Sequence, residues 1–151
     1  MSTGSSLVAF KRALVQALKA RPGLSGVQVT YDFPDGGLTG RDIWLGHAES
    51  ENHIAGLRSG PKKVDEDFTL TVIAQALNTV GGGQEAADLD ATVLLAEVQQ
   101  ELAENPKTTP EIMWAQLAGW TQSAGPYADG GNASRGSRFE IQVQVRARLS
   151  A

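Results

Sequence analysis

The C-terminal part of the chain alternates strictly between apolar and polar residues. The apolar positions are Phe139, Ile141, Val143, Val145, Ala147 and Leu149, and the positions between them are Glu140, Gln142, Gln144, Arg146 and Arg148. Because successive side chains of a strand point to opposite faces, this pattern predicts a strand with one buried face. A sheet of such strands needs a second layer over its apolar face, and this requirement limits the fold more than any other feature.

Similar patterns predict four further strands. They cover residues 27–33, about 42–45, 68–76 and 112–120. The acidic run Asp65–Asp67 precedes the third strand, and we interpret it as keeping a strand end solvated. Two polar segments, at about 46–64 and 122–137, are predicted to be long loops because they are rich in residues typical of turns.

Two segments have the periodicity of amphipathic helices. The first has a core stripe of Leu7, Phe10, Leu14, Ala17 and Leu18, begins after Ser5 or Ser6 and ends at Arg21-Pro22-Gly23. The second runs from about Glu85 to Glu104, with Asp90, Glu97, Glu101 and Glu104 on a solvated face and Ala91, Leu95, Val98 and Leu102 on a core stripe. Leu89, Val93 and Ala96 form a second apolar strip, which is either the margin of a wide core stripe or a surface covered by a neighbouring subunit.

The predicted element order is α-β-β-β-α-β-β. Strands with one apolar face each favour a mostly antiparallel sheet, with both helices packed on the same side. We therefore expect an α+β fold with residues 1–151 in a single domain, which agrees with a length of 151 residues.

Composition excludes several kinds of chemistry. The chain has no cysteine, so disulfides, thiol catalysis and thiolate metal sites are impossible. Its apolar runs are too short for a membrane span, and the N-terminus lacks the pattern of a secretory signal. No nucleophile elbow or phosphate-binding loop is present, although Gly81–Gly83 precedes a helix. We expect a protein without catalytic activity or cofactor.

The formal charge of −4 is distributed unevenly along the chain. Residues 1–64 carry eight basic and five acidic residues, residues 65–111 carry one basic and ten acidic residues, and residues 112–151 carry four basic and two acidic residues. An acidic middle between basic ends suits self-association through complementary patches. The simpler interpretation is an acidic helix face exposed to solvent.

One cluster has residue types that bind metal ions. His47, Glu49, Glu51 and His53 alternate, so in an extended segment all four would face one way. Imidazole and carboxylate groups are zinc ligands. The segment is predicted to be a loop, however, and a preformed metal site is not expected there.

The residues most suited to contact a partner lie in the two predicted loops and on the second helix. Basic residues in the loops would contact acidic patches or DNA phosphates, while Tyr127 is a candidate anchor because tyrosine is favoured at interfaces. The set comprises Arg58, Lys62, Lys63, Tyr127, Arg135 and Arg138 from the loops, and Asp90, Glu97 and Glu101 from the helix. Trp114 and Trp120 are further aromatic candidates, with core packing the better interpretation for Trp114.

Several segments together resemble the tail terminator family, small tail-completion proteins of long-tailed bacteriophages. The resemblance lies in the opening helix 7–18, the strand segments Gly26–Tyr31, Asp42–Gly46 and Asp67–Val72, and the closing strand 138–149. It covers most of the chain in the order and length of its elements, and no single residue is diagnostic.

The resemblance implies an antiparallel sheet with helices on one side and a structural role in the virion. Members of this family form hexameric rings on the tail tube. The ring ends tube polymerisation and presents a surface to the neck of the head, while DNA passes through its centre without sequence-specific binding. The expected partners are therefore other copies of the chain, the tail tube protein and a neck or head-completion protein.

Three other functions remain open at this point. A neck or head-closure adaptor of the same particle would have a similar sequence pattern. A generic dimeric binding module is the next alternative, and a small hydrolase using His47 or His53 is the last.

Overall fold

The computed structural model describes residues 5–54, 63–78, 83–126 and 134–150. Two α-helices and five strands follow one another in the predicted order, which confirms a single α+β domain. Their bounds are α1 Leu7–Ala20, β1 Gln28–Thr30, β2 Arg41–Ile54, β3 Lys63–Asn78, α2 Gly83–Glu104, β4 Ile112–Pro126 and β5 Arg135–Ser150, with a short 3₁₀ turn at Pro22–Leu24.

The five strands form one sheet in the order β1-β2-β3-β5-β4. β1 is parallel to β2, and the other three neighbouring pairs are antiparallel. Leu70 of β3 lies opposite Val143 of β5, and Val143 lies opposite Leu117 of β4. This register brings the alternating apolar residues of the central strands to one face, as the sequence predicts.

Both helices cover that apolar face. Phe10, Leu14 and Leu18 of α1 are fully buried, and the ring of Phe10 meets the ring of Phe68 edge to face at 5.7 Å. α2 contributes Ala87, Ala91, Leu94, Leu95, Val98 and Leu102 to the same core. The core stripe predicted for each helix is therefore the buried one.

The start of α1 is fastened to β3 by a buried carboxylate. The backbone N–H and the hydroxyl of Ser6 both donate to Glu66 Oε1, at 3.0 and 2.9 Å. A carboxylate at a helix N-terminus accepts from unpaired N–H groups and is stabilised by the helix dipole. The prediction that the acidic run merely keeps a strand end solvated is wrong for Glu66.

The turn before β2 is organised by Asp42, which is buried. Its carboxylate accepts hydrogen bonds from the backbone N–H groups of Thr39 and Gly40 and from the side chain of Gln28. Gly40 has a φ of +112°, which a residue with a side chain rarely adopts. The turn therefore fixes the point at which β2 begins beside β1.

The strand ends differ from the predictions. β2 continues to Ile54, β3 begins at Lys63 and β4 continues to Pro126, so the predicted loops 46–64 and 122–137 are both too long. β1 is shorter than the predicted strand 27–33, since it ends at Thr30. The alternation of apolar and polar residues does not reveal where β2 ends, because both faces of the strand are already exposed at residues 49 and 50. Glu49 and Ser50, which lie on opposite faces, are both exposed.

Candidate functional site

The predicted partner-contact residues that the structure describes do not form one cluster. Arg58, Lys62 and Tyr127 lie outside the described residues, and Lys63 is the first residue of β3. Arg135 and Arg138 lie in β5 and not in a loop, which corrects their predicted location. Asp90, Glu97 and Glu101 lie on α2 as predicted.

Glu97 and Glu101 belong to an ion-pair cluster within the chain. Arg21, which follows α1, lies 2.8 Å from Glu97 and 2.9 Å from Glu101, and its third partner is Glu104 at 3.1 Å. Glu101 is only 3% exposed and also accepts a hydrogen bond from Asn105. The prediction of a solvated face is therefore wrong for Glu101, whose role is to join the end of α1 to the end of α2.

The pKa values agree with this geometry. The hydrogen bonds that Arg21 donates, first to Glu97 and then to Glu101, raise the pKa of Arg21 above its ordinary range. The hydrogen bond from Arg21 lowers the pKa of Glu104. Arg21 and Glu104 therefore stay charged near neutral pH. The cluster serves the fold, because each of its carboxylates already has a partner in the chain.

A second set of ion pairs joins β3 to β5 on the sheet face away from the helices. Arg146 binds Asp67 through two hydrogen bonds of 2.6 and 2.8 Å, and Arg148 binds Asp65 through two of 2.7 and 3.1 Å. Within each pair the two residues lie directly opposite each other in the strand register, and the two pairs are neighbours along the strands. Hydrogen bonding to Asp67 raises the pKa of Arg146, and hydrogen bonding to Asp65 raises that of Arg148.

Much of the charge asymmetry along the chain is thus neutralised inside one molecule. In the described part of the structure, six of the ten acidic residues in the segment 65–111 lie within ion-pair distance of an arginine from an end segment. They are Asp65, Asp67, Asp90, Glu97, Glu101 and Glu104, with Asp90 paired to Arg41 at 3.7 Å between two exposed side chains. The acidic middle therefore offers fewer unpaired charges to a partner than the sequence suggests.

The predicted metal ligands are brought together only in part. His47 Nε2 lies 3.0 Å from Glu49 Oε1, and both side chains are exposed on β2. The side chains of Glu51 and His53 lie outside the described part of the structure. Among the described side chains, no three histidine or acidic residues are placed to hold a metal ion.

Arg138 takes part in an aromatic cluster at one end of the open sheet face. Its Nε donates to Gln75 at 2.7 Å, and its guanidinium lies 5.5 Å from the ring centre of Trp44. Phe33 meets the same Trp44 ring edge to face at 5.2 Å. A cavity of about 470 Å³ opens beside this cluster, between Phe33 and Leu38 on one side and the ends of β4 and β5 on the other.

Large apolar side chains are exposed at both edges of the sheet. Trp120 on β4 is 54% exposed, although its ring edge meets Phe139, and Met113 on the same strand is partly exposed. At the opposite edge, Tyr31 follows β1 and is 37% exposed, whereas Phe33 is 50% exposed where it lies against Trp44 on the open sheet face. The alternation along residues 27–33 predicted a strand with Tyr31 and Phe33 on its buried face, and this prediction is wrong for both residues.

The second apolar strip of α2 faces away from the core. Leu89 is 63% exposed and Val93 is 54% exposed, and Ala96 is exposed as well. The interpretation as the margin of a wide core stripe is therefore wrong. The described residues of the chain leave this strip uncovered.

Neither α1 nor α2 combines the length and apolar character needed to cross a membrane. Comparisons of the sequence with protein-family models and with curated proteins find no match in either case.

Proposed function

We propose that the chain is a structural virion protein of the tail terminator type. Six copies form a ring on the head-proximal end of a phage tail tube, where the ring ends tube polymerisation and provides the attachment surface for the neck. Its partners are further copies of itself, the tail tube protein and a neck or head-completion protein. DNA passes through the ring without base-specific contacts.

The observation that carries the proposal is the exposure of large apolar side chains at two opposite edges of the sheet. A ring is built from head-to-tail contacts, in which two different patches of each subunit meet. Met113 and Trp120 lie along one edge, on β4, and Tyr31, which follows β1, lies at the other. Aromatic residues and methionine are enriched at the cores of protein interfaces.

The fold supports the same proposal. Helices on one side of an antiparallel sheet are what the resemblance to tail terminators implies, and the chain has this architecture. A fold hosts many functions, so the architecture alone does not select one. The number of six subunits comes from the resemblance.

Native mass is the first test of this proposal. Light scattering over a wide concentration range, with electron microscopy of the largest species, should show rings of about 95 kDa, the mass of six 15.9 kDa chains. A dimer of constant mass at every concentration would contradict the ring and favour the dimeric binding module.

Tube growth tests the function directly. Purified tail tube protein of the same phage is polymerised with and without the chain, and tube lengths are measured by electron microscopy. We expect shorter tubes with the chain seated at one end. Unchanged tube lengths together with binding to portal rings would favour the neck adaptor instead.

A further inference from the structure

β4 is an edge strand with an unusual composition. It is 15 residues long, it pairs only with β5 among the described residues, and none of its residues is charged. Most of its side chains are at least partly exposed. Natural edge strands are usually protected by charged residues, proline, bulges or short length, because their free N–H and C=O groups pair readily with another strand. β4 is long and uncharged, although its ladder with β5 is irregular at Ile112/Trp114 and Leu117/Gly119 and it ends at Pro126.

The opposite edge of the sheet also has a free segment. β1 pairs only with residues 42–44 of β2, and β2 continues to Ile54 with β3 on its other side. In the described structure, residues 46–54 thus have no second neighbouring strand. At about 3.3 Å per residue this free edge is roughly 30 Å long, and β4 is longer.

The strand directions suit a head-to-tail junction of these two edges. β2, β3, β5 and β4 alternate in direction, so β4 runs opposite to β2. A rotation about an axis along the strands keeps the direction of every strand. The β4 strand of one copy would then meet the β2 strand of the next as an antiparallel pair, continuing the alternation of the sheet.

The exposed aromatic residues lie at matching levels of the two edges. Through the sheet register, Trp120 is level with Ile141, then with Val72 and then with Leu45. β1 ends with Thr30 opposite Trp44, so Tyr31 follows at the level of Leu45. Both rings are on the helix side, since Trp120 contacts Phe139 of the core face and Tyr31 lies under Lys11 of α1.

We propose that copies of the chain join by pairing residues 112–119 of β4 in one subunit with the free edge of β2, residues 46–54, in the next. Trp120 of the first subunit packs beside Tyr31 of the second, and the sheet runs continuously from subunit to subunit. This inference rests on the proposed function, for which it names the contact between neighbouring subunits.

Cysteine cross-linking tests the junction, because the natural chain has no cysteine. Gln116 of β4 and Glu49 of β2 are exposed, and the register through Gln144 and Thr69 places them at the same level. Opposite residues of paired strands have Cβ atoms close enough for a disulfide. A mixture of Gln116→Cys and Glu49→Cys chains should therefore give mixed disulfide dimers on mild oxidation, and the double variant should give a covalent ladder.

Two controls identify other modes of contact. Gln116→Cys alone should stay uncross-linked, and a self-linked dimer would show a two-fold β4–β4 contact and overturn the proposal. Gln99→Cys mixed with Glu49→Cys should also stay uncross-linked, because Gln99 is exposed on α2, outside its apolar strip, and lies on neither edge strand.

A charged residue on the edge gives a second test. Trp120→Lys should reduce the native mass to that of the monomer, with a cooperative unfolding transition retained at a slightly lower melting temperature, because the side chain is half exposed but its ring also meets Phe139. Gln99→Lys, at an exposed residue of α2 outside its apolar strip, should leave the assembly intact. A full-sized assembly of Trp120→Lys would overturn the proposed junction.

These experiments test the proposed junction and the proposed function independently, so either can fail without the other. Rings of the expected mass without mixed disulfides would refute the edge pairing and leave the terminator proposal standing. Mixed disulfides in an assembly that does not shorten tail tubes would support the junction and refute the terminator function.

Discussion

At the scale of single residues, the charged side chains of this protein contribute mainly to its fold. Arg21 is nearly buried between α1 and α2, and it holds Glu101 in a place that water hardly reaches. A buried carboxylate is tolerated when it is paired and hydrogen-bonded. The sequence reveals the residue types of this cluster, but Arg21 and Glu101 are 80 positions apart and only the packing of the helices joins them.

We expect Arg21→Ala to destabilise the protein strongly. The change leaves Glu101 buried with Asn105 as its remaining side-chain partner, and breaking such a pair costs about 3 kcal/mol or more. The matched control is Arg41→Ala, which removes an exposed pair with Asp90 and should cost less than about 1 kcal/mol. Urea denaturation of both variants gives the two free energies of unfolding, and equal values would show that Glu101 does not depend on Arg21.

At the scale of elements, patterns of alternation predict strands well only where one strand face is buried. β5 alternates along its length against a covered face, and its position follows from the sequence. Residues 121–126 of β4 are exposed or nearly so on both faces, and no alternation marks them. The strand ends were therefore unpredictable, because hydrogen bonding to a neighbouring strand leaves little trace in side-chain type.

We expect Val143→Asp to prevent stable folding. Val143 is fully buried at the centre of β5, and placing an unpaired carboxylate there costs about 3 kcal/mol or more. Gln144→Asp is the control, because the neighbouring residue 144 is exposed on the opposite face. Circular dichroism melting curves should show a lost or strongly lowered transition for the first variant and a nearly unchanged one for the second. A normal melting curve for Val143→Asp would mean that this face is not the core.

At the scale of the whole molecule, the fold was predictable and the contact surface was not. The order of elements and the side covered by helices follow from local patterns. The uneven charge along the chain suggested complementary patches between subunits, but the topology brings β3 beside β5 and the end of α1 beside α2, so many of those charges meet within one chain. The surface that remains for self-assembly consists of apolar side chains and free strand edges, which only the arrangement of the sheet identifies.

Whether charged patches or apolar edges join the copies determines how the assembly responds to salt. Complementary charged patches would weaken as salt rises, because the screening length falls to about 3 Å at 1 M ionic strength. Contacts between apolar side chains and paired strand edges are little affected by NaCl, and sulfate strengthens apolar contacts. Light scattering should therefore give the same native mass from low salt to about 1 M NaCl, and ammonium sulfate should favour assembly at lower protein concentration. Trp120→Lys is the control that should remain monomeric across the NaCl series. If the wild-type assembly dissociates in NaCl, unpaired charges hold the copies together and the apolar edges are not the dominant contact.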